Sequence, residues 1–391
     1  MRRPIIGPAH GECMLYLLST PEWVEWFSPL RLFQYITFRT LGGAATAFVL
    51  SLAFGPSLIR ALRRWKIGQV VRDDAVLAAH RGKAGTPTMG GLLIVATVTV
   101  STALWAAPGG SLVWLALATM IFMAAVGFWD DYRKLTRRSS AGLNGRWKLA
   151  LETAWAVAFV SHLWPAPETR SLVADVWLPF LKDPFFVGLD YPAALIFVAL
   201  VLVGCVNAVN LTDGLDGLAI GCTNAVAAAY LALAYVAGHV VFARYLRVPY
   251  VPGAGELAVF CGCLLGGGLG FLWFNCHPAR VFMGDTGSLA LGGAIAATAT
   301  LVQQEITLLF VGGVFVLEAL SVMLQVACFK LTGGRRLFYC APIHHHFEQM
   351  AKQQAAAEGR DVEVVETMIT TRFWIVAIIC ALLGVATLKI R

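Results

Sequence analysis

The sequence predicts an all-α integral membrane protein. Hydrophobic residues make up 58% of the 391 residues and charged residues only 14%, which is far from the composition of an average soluble domain. Apolar runs recur along the whole chain, and about 20 helical residues cross the hydrocarbon core of a bilayer. Because no stretch remains that is large enough for a soluble domain, we interpret residues 1–391 as one polytopic membrane domain.

The apolar runs predict about ten membrane-spanning helices. Their approximate ranges are 36–59, 88–107, 111–129, 147–164, 192–211, 215–238, 255–274, 284–301, 305–329 and 372–390. Residues 1–35 form an N-terminal segment before the first span. The longest predicted connection is 331–371, where the polar, Ala-rich part 349–363 indicates a short surface helix.

Positive charge is unevenly shared between the connections. Most of the 30 Lys and Arg residues lie after the first, third, seventh and ninth predicted spans. Since positively charged connections tend to stay in the cytoplasm, the odd-numbered connections, including 331–371, are predicted to be cytoplasmic. Both termini, and with them segment 1–35, are then predicted to be periplasmic.

Five polar motifs all follow odd-numbered spans, so they are predicted to share the cytoplasmic face. They are HRGKAGTPTMGG (80–91), DDYRK (130–134), NAVNLTDGLDG (207–217), FNCHPARVFMGDTGS (274–288) and APIHHHFE (341–348). Polar and ionisable groups at the edge of a membrane core are costly to bury and indicate function. The pattern therefore predicts one active site at the cytoplasmic face.

The motif NAVNLTDGLDG places two amides and two carboxylates between long apolar runs. If the segment is helical, Asp213 and Asp216 share a face because they are three residues apart. Gly214 and Gly217 allow the backbone to approach a ligand closely. A polar cap at the end of a span is the alternative interpretation.

Asp130 and Asp131 are followed by Arg133 and Lys134. Adjacent carboxylates beside cations suit a site for phosphate and metal, in which a carboxylate holds Mg²⁺ or accepts a proton and the cations hold phosphoryl oxygens. A solvated helix end is the alternative for this pair.

The sequence Gly284-Asp-Thr-Gly-Ser288 directly precedes an apolar run. Small residues and free amides at a helix start favour an anion, and Asp285 can hold a divalent cation that bridges to the same phosphate. No GxxxxGK[ST] phosphate loop occurs in the chain. Nearby Phe282 is either a stacking platform for a base or an ordinary core aromatic residue.

Three consecutive histidines, His344 to His346, lack the i, i+4 spacing of a helical zinc site. They favour hydrogen bonding or proton transfer to a phosphate or hydroxyl group. Lys83 lies in a Gly/Pro loop that can bring a cation and amides to a phosphate, or it serves only as an orientation signal. Together with the carboxylates, these residues fit Mg²⁺-assisted phosphoryl transfer.

In this order, the five motifs resemble the phospho-N-acetylmuramoyl-pentapeptide-transferase family, within the polyprenyl-phosphate N-acetylhexosamine-1-phosphate transferase superfamily. The resemblance covers residues from about 60 to 391. It implies that UDP-MurNAc-pentapeptide and undecaprenyl phosphate react to give lipid I and UMP, the first membrane step of peptidoglycan synthesis. It also implies a Mg²⁺-dependent homodimer in the bacterial inner membrane, with no nucleic-acid partner.

The resemblance also implies roles for individual residues. Asp130 would be the base that deprotonates the lipid phosphate, with Asp131 supporting it, Asp285 would bind Mg²⁺, and Lys83 would hold the diphosphate. Further positions are implied on the nucleotide side: Asn210, Asp213, Gly214, Leu215, Asp216, Asn275 and Phe282.

The resemblance also implies a catalytic role for His344 and a substrate-binding role for His345. Both would lie at the phosphate or sugar edge of the substrate. Direct attack by the lipid phosphate is preferred over a covalent phospho-enzyme, because the acceptor is already an anionic oxygen nucleophile.

Two other functions remain as alternatives. A sister enzyme would move GlcNAc-1-phosphate from UDP-GlcNAc to the same lipid, although the HHHFE and KxGTPTMGG motifs favour the muramoyl substrate. A cation-coupled transporter would carry its carboxylates near the bilayer midplane and in both halves of the chain. The carboxylates here are predicted to gather at one face.

Overall fold

The computed structural model of the protein describes residue 15 and the ranges 21–65, 86–137, 142–358 and 364–388. Regular structure within these ranges is helical. The helices are α1 (Pro21–Trp26), a 3-10 helix (Ser28–Gln34), α2 (Ile36–Arg64), α3 (Gly91–Trp105), α4 (Ser111–Thr136), α5 (Gly145–Leu163), α6 (Pro167–Ala174), α7 (Tyr191–Thr212), α8 (Leu218–Ala237), α9 (Val240–Leu246), α10 (Gly255–Asn275), α11 (Gly284–Leu301), α12 (Leu308–Val311), α13 (Gly313–Leu331), α14 (Ile343–Ala357) and α15 (Val364–Ala386).

Each predicted span contains a helix, but several predicted boundaries are wrong. Helix α4 continues to Thr136 rather than ending near 129, and α15 begins at Val364 rather than 372. The ninth predicted span is broken at Gly312 into α12 and α13. The apolar pattern stops at the first charged residue, whereas a helix continues when its charged side chains find partners inside the protein.

Seven of the described helices are long and apolar enough to cross a membrane: α2, α4, α7, α8, α10, α13 and α15. The protein is therefore an integral membrane protein with an all-helical fold. The predicted number of about ten spans includes three further helices, α3, α5 and α11, and stays a prediction.

These three helices differ from the others for separate reasons. Helix α3 has 15 residues and rises about 22 Å, less than the roughly 30 Å of a bilayer core. Helix α5 carries Arg146, Lys148 and Glu152 in its first turns. Helix α11 is built largely from Gly, Ala and Thr and lies inside the protein, where its side chains need not suit lipid.

Helix α11 is the central element of the bundle. All of its residues except Gly284 and Asp285 are buried, and it packs between α4 and α7. Small residues allow these close approaches, since a side chain at Gly292 would meet the Val206 backbone of α7 and one at Gly293 would meet Met123 of α4. The buried helix therefore presents only its first turn to a potential site.

The helix ends gather at two opposite ends of the bundle. At the end remote from Asp285, Arg39 of α2 donates two hydrogen bonds to Glu256 of α10, at 2.7 and 2.6 Å. Glu256 also accepts from the backbone N–H of Ala107, which follows α3. This buried bidentate pair joins helix ends that the predicted order of spans places together. The assignment of either end to the cytoplasm stays a prediction.

The contact between α4 and α11 yields a test of packing. A methyl group at Gly127 would collide with the carbonyl of Asp285, so Gly127→Ala should lower the free energy of unfolding by about 1–3 kcal/mol, as overpacking does. It should also reduce activity by displacing the start of α11. Unfolding in detergent, followed by circular dichroism, measures the first effect.

Gly204→Ala in α7 is the matched control, because a Cβ there meets nothing within 4 Å. It should be neutral or stabilise the protein by up to about 1 kcal/mol. Equal effects of the two substitutions would contradict the close α4–α11 contact.

Candidate active site

The start of α11 is held by the carboxylate of Asp131, which lies in the last turns of α4. Asp131 Oδ1 accepts the backbone N–H of Asp285 at 3.2 Å. Its Oδ2 accepts the backbone N–H of Thr286 at 2.9 Å and the Thr286 hydroxyl at 2.7 Å. The free amides and the dipole of a helix N-terminus favour such an anion. The anion at these two amides is therefore the carboxylate of Asp131, and a phosphate near the same helix start stays a prediction.

Three carboxylates meet at this point. Oxygen atoms of Asp130, Asp131 and Asp285 lie within 4.8 Å of one another. Lys134, one turn after Asp130 on α4, places its ammonium 2.5 Å from Asp130 Oδ2 and 3.3 Å from Asp285 Oδ1. The other oxygen of Asp130 accepts the backbone N–H of Leu143 at 2.6 Å. The like charges are therefore balanced by an ammonium group placed between two of them.

A second ammonium group approaches Asp285 from α5. Lys148 Nζ donates to Asp285 Oδ2 and to Asn210 Oδ1, each at 3.2 Å. Asn210 Nδ2 in turn donates to Asp285 Oδ1 at 3.1 Å and to the Ser288 hydroxyl at 2.8 Å. Asn210, expected on the nucleotide side with Asp213 and Asp216, therefore contacts Asp285 and Lys148, and its position relative to a nucleotide stays a prediction.

The segment after Asn210 is a turn, so Asp213 and Asp216 do not share a helical face. Helix α7 ends at Thr212, and Gly217 has φ +74°, a left-handed conformation that favours glycine. Asp213 stays close to the three carboxylates. Burial, together with the charges of Asp285, Asp131 and Asp216, raises the pKa of Asp213 to about 8.

Asp216 turns the other way, into a second buried cluster. Its Oδ2 lies 3.1 Å from His277 Nδ1 and accepts the backbone N–H of Ala279 at 3.0 Å. Glu366, in the first turn of α15, accepts the Asp216 backbone N–H at 2.9 Å. Asp216, His277 and Glu366 each bring one possible ligand atom within 4.8 Å of the others, and the contacts among them fix the turn.

Asn275 at the end of α10 supports the same turn. Its Oδ1 accepts the Gly217 N–H at 3.1 Å and its Nδ2 donates to the Val281 carbonyl at 2.9 Å. The side chain that was expected near the uridine therefore joins two backbone segments. Leu215 within the turn is buried.

Phe282 is half-buried, and its backbone is fixed by hydrogen bonds to Pro87 and Gly90, both at 2.8 Å. The TPTMGG segment therefore packs against the start of α11. Lys83, in the same motif, lies outside the described residues.

The side chains of the three histidines make different contacts. Nε2 atoms of His344 and His345 both approach Gly214, where an added Cβ would collide with His344. His345 Nδ1 lies 2.9 Å from Glu348, which also pairs with Lys352. His346 accepts the Tyr339 backbone N–H at 3.2 Å, away from Gly214. Two of the three histidines therefore border the turn, and the third holds the preceding loop.

Some of these residues were missed by sequence reasoning. Lys148 was counted only as one of many cations, and Ser288 and His277 were quoted inside motifs without a role. Glu366 and Glu318, whose Oε2 lies 3.1 Å from His344 Nδ1, are single carboxylates outside the quoted motifs. A charged residue inside an apolar run is itself an indication of function, so Glu318 carried a signal that could have been used, whereas Glu366 lies in the predicted connection 331–371 and carried none.

The donor set suits a hard divalent cation. Carboxylate oxygens are the ligands that such ions prefer, and Asp285 and Asp130 face each other across Lys134. Both oxygens of Asp131 are already used by α11. The arrangement can therefore neutralise and orient phosphoryl oxygens with ammonium groups while carboxylates hold a cation.

Comparisons with known proteins indicate the family of the chain. The family model for glycosyl transferase family 4 matches residues 113–303, and the phospho-N-acetylmuramoyl-pentapeptide-transferase signature 1 matches residues 83–95. Similar curated proteins, all called phospho-N-acetylmuramoyl-pentapeptide-transferase, come from Desulfotalea psychrophila (48% identical), Methylacidiphilum infernorum (46%) and Syntrophus aciditrophicus (48%). Each alignment covers 97% of this chain and 99–100% of the relative.

The fold and the converging charged groups define a membrane-embedded transferase. The near-complete alignments also show the family of the chain, because proteins of this identity and coverage belong to the same family. The chain belongs to the phospho-N-acetylmuramoyl-pentapeptide-transferase family. It is an enzyme of peptidoglycan synthesis that transfers phospho-MurNAc-pentapeptide to a lipid carrier.

The raised pKa of Asp213 yields a test by pH. A carboxyl with a pKa of about 8 in the folded protein and about 3.9 when unfolded is protonated only in the folded state between these values. The free energy of unfolding therefore falls as pH rises through this window. Asp213→Asn should match the parent protein near pH 4 and exceed its melting temperature near pH 8, without added metal. Parallel pH profiles for the two proteins would contradict the assignment.

Proposed function

We propose that the enzyme joins UDP-MurNAc-pentapeptide and undecaprenyl phosphate to form lipid I and UMP by direct attack. The observation that carries the proposal is the meeting of Asp130, Asp131 and Asp285 within 4.8 Å, with two ammonium groups against Asp285. Phosphoryl transfer needs little covalent chemistry from a protein, because positioning and charge neutralisation supply most of the catalysis. This arrangement provides both.

The reaction exchanges one phosphate partner for another. An oxygen of the lipid phosphate forms a bond to the phosphorus that carries the sugar. The bond from that phosphorus to the bridging oxygen breaks, and UMP leaves with the electron pair. Asp130 takes a proton from the lipid phosphate when that group is still protonated. Lys134 and Lys148 move from carboxylate oxygens toward the negative charge of the diphosphate.

Mg²⁺ is the proposed cofactor, held by Asp285. The bound cation would neutralise charge on the diphosphate. Asp131 keeps the backbone of Asp285 in place through its hydrogen bonds to the start of α11. Asp131 therefore supports the site as a positioning residue, because both of its oxygens accept hydrogen bonds from the start of α11.

The nucleotide is proposed to bind beside the turn 213–217. Gly214, Leu215 and Phe282 would border the uridine, with Asp216 and Asn275 holding the turn in shape. Lys83 would reach the diphosphate. His344 and His345 would meet the phosphate or sugar edge, which agrees with the approach of both Nε2 atoms to Gly214.

We also propose the placement in the membrane. The protein would cross the bacterial inner membrane about ten times, with periplasmic termini and the active site on the cytoplasmic side, where the nucleotide substrate is found. The helix ends lie at two opposite ends of the bundle, as expected if successive spans cross the membrane in alternating directions. A homodimer is proposed from family resemblance alone.

The assignment of the carboxylates is tested by Asp285→Asn and Asp130→Asn. Each should lower kcat/KM by at least about 100-fold, as expected when one preorganised charge is removed. Asp285→Asn should also weaken binding of Mn²⁺, used as a paramagnetic substitute for Mg²⁺ and measured by electron paramagnetic resonance.

Asp183→Asn, an exposed substitution outside the site, is the matched control and should keep full activity. Normal Mn²⁺ affinity in Asp285→Asn would remove Asp285 from the metal. Near-normal turnover of Asp130→Asn would assign the base elsewhere.

Direct attack is tested with UDP-MurNAc-pentapeptide labelled in the phosphate next to the sugar. Without lipid acceptor, the purified enzyme should release no UMP and should carry no label on the protein. Addition of undecaprenyl phosphate should release UMP and transfer the label to lipid in equal amounts. Labelled UDP-GlcNAc should give no labelled lipid. Label on the protein before the acceptor is added would instead indicate a covalent intermediate.

A further inference from the structure

A pair of residues outside the cluster of three carboxylates is completely buried beside the turn 213–217. Glu318 lies in the middle of α13 and His344 in the first turn of α14, and both side chains have 0% exposure. Glu318 Oε2 and His344 Nδ1 are 3.1 Å apart. A carboxylate inside an apolar helix is costly without a partner, and the imidazole provides one.

Each member of this pair has one further polar atom without a hydrogen-bond partner among the described residues. These atoms are Glu318 Oε1 and His344 Nε2. The His344 Nε2 atom is directed at Gly214, where any Cβ would collide with it. Buried imidazole nitrogens normally have a partner. The nitrogen therefore faces the turn with its hydrogen-bonding capacity unused.

The contact with Glu318 determines which proton the neutral ring carries. A carboxylate beside Nδ1 accepts a hydrogen bond from Nδ1–H, which leaves Nε2 with its lone pair. Burial lowers the pKa of His344, while the charge of Glu318 acts in the opposite direction. The other titratable groups that face this ring are His345 and Glu348 of the same helix, and Cys222 of α8 faces Glu318.

We propose that Glu318 is a positioning residue that holds His344 in the Nδ1–H form, so that Nε2 accepts a hydrogen bond from a hydroxyl group of the nucleotide-sugar substrate. The inference rests on the proposed function, since it requires the substrate to lie beside the turn 213–217. Protonation of Nε2 removes the acceptor, so activity that depends on it is lost as pH falls through the pKa of His344. The negative charge of Glu318 sets where that loss occurs.

The pH dependence of kcat/KM for the nucleotide sugar tests the proposal with Glu318→Gln. Loss of the carboxylate charge lowers the pKa of His344, so the fall of kcat/KM at acidic pH, the acidic limb of the profile, should move to lower pH. The part of this fall that is due to His344 is identified by its absence in His344→Gln. At neutral pH, Glu318→Gln should lower kcat/KM by about tenfold, the lower end of the effects known for carboxylates that orient a metal-bound imidazole.

Glu305→Gln is the matched control, because Glu305 is also a buried glutamate, with no hydrogen-bond partner for either oxygen among the described residues. It follows the far end of α11, about 27 Å from Asp285 by the helical rise. It should leave the acidic limb unchanged. If Glu318→Gln lowers kcat without moving the limb, Glu318 only packs and the proposal is wrong. Thermal unfolding of each variant confirms that it is folded.

Nuclear magnetic resonance of ¹⁵N-histidine reads the ring directly, without any reaction. The His344 signals, identified by their loss in His344→Gln, should show a protonated Nδ1 and a bare Nε2, and Glu318→Gln should weaken this preference. A protonated Nε2 in the neutral ring of the unmodified enzyme would overturn the proposal. The expected ring form combined with full activity of both variants would overturn the contact between His344 and substrate, but would leave the proposed reaction intact.

Discussion

The carboxylate of Asp131 at the start of α11 is the interaction on which the site depends. The first amides of a helix have no partner within the helix, and at the start of α11 the buried Thr286 needs one from within the protein. Asp131 supplies it through two backbone amides and one hydroxyl group. Because α11 is central to the bundle, this contact fixes Asp285 relative to α4 and so to Asp130.

The resulting site is a chain of alternating charges. Lys134 joins Asp130 to Asp285, and Lys148 joins Asp285 to Asn210. Buried like charges would repel one another strongly without these ammonium groups. The same ammonium groups are suited to a diphosphate, so the groups that balance the carboxylates can transfer their contacts to the substrate. The turn 213–217 connects this series of alternating charges to the Asp216–His277–Glu366 cluster and to His344.

The sequence was sufficient for the membrane class, the positions of the helices and the convergence of the motifs, because these depend on apolar length and on the alternation of spans. It was not sufficient for the partners of each polar group. Asp131 was expected to support Asp130, and its position in the sequence gives no indication that its oxygens bind the start of α11. Asn210 was expected on the nucleotide side, and nothing near it in the sequence indicates its contacts with Asp285 and Lys148. Neither contact has a sequence spacing that could reveal it, since both join helices more than 60 residues apart.

The sequence also could not predict the partners of single charged residues inside apolar helices. Glu318 stands in an apolar segment with no motif around it, and only the fold brings it to His344. Local pattern therefore identifies the helix ends that form a site, while the buried partner of each side chain depends on tertiary packing.

A double-mutant cycle with Asp131→Asn and Thr286→Val tests the central interaction most directly, with the free energy of unfolding measured in mixed detergent micelles. If the Asp131 carboxylate holds the start of α11, the two substitutions should be coupled by about 1.5–3 kcal/mol, as for a hydrogen bond to a charged group. Additive effects within about 0.5 kcal/mol would mean that the two side chains act independently, and would contradict this account of the site.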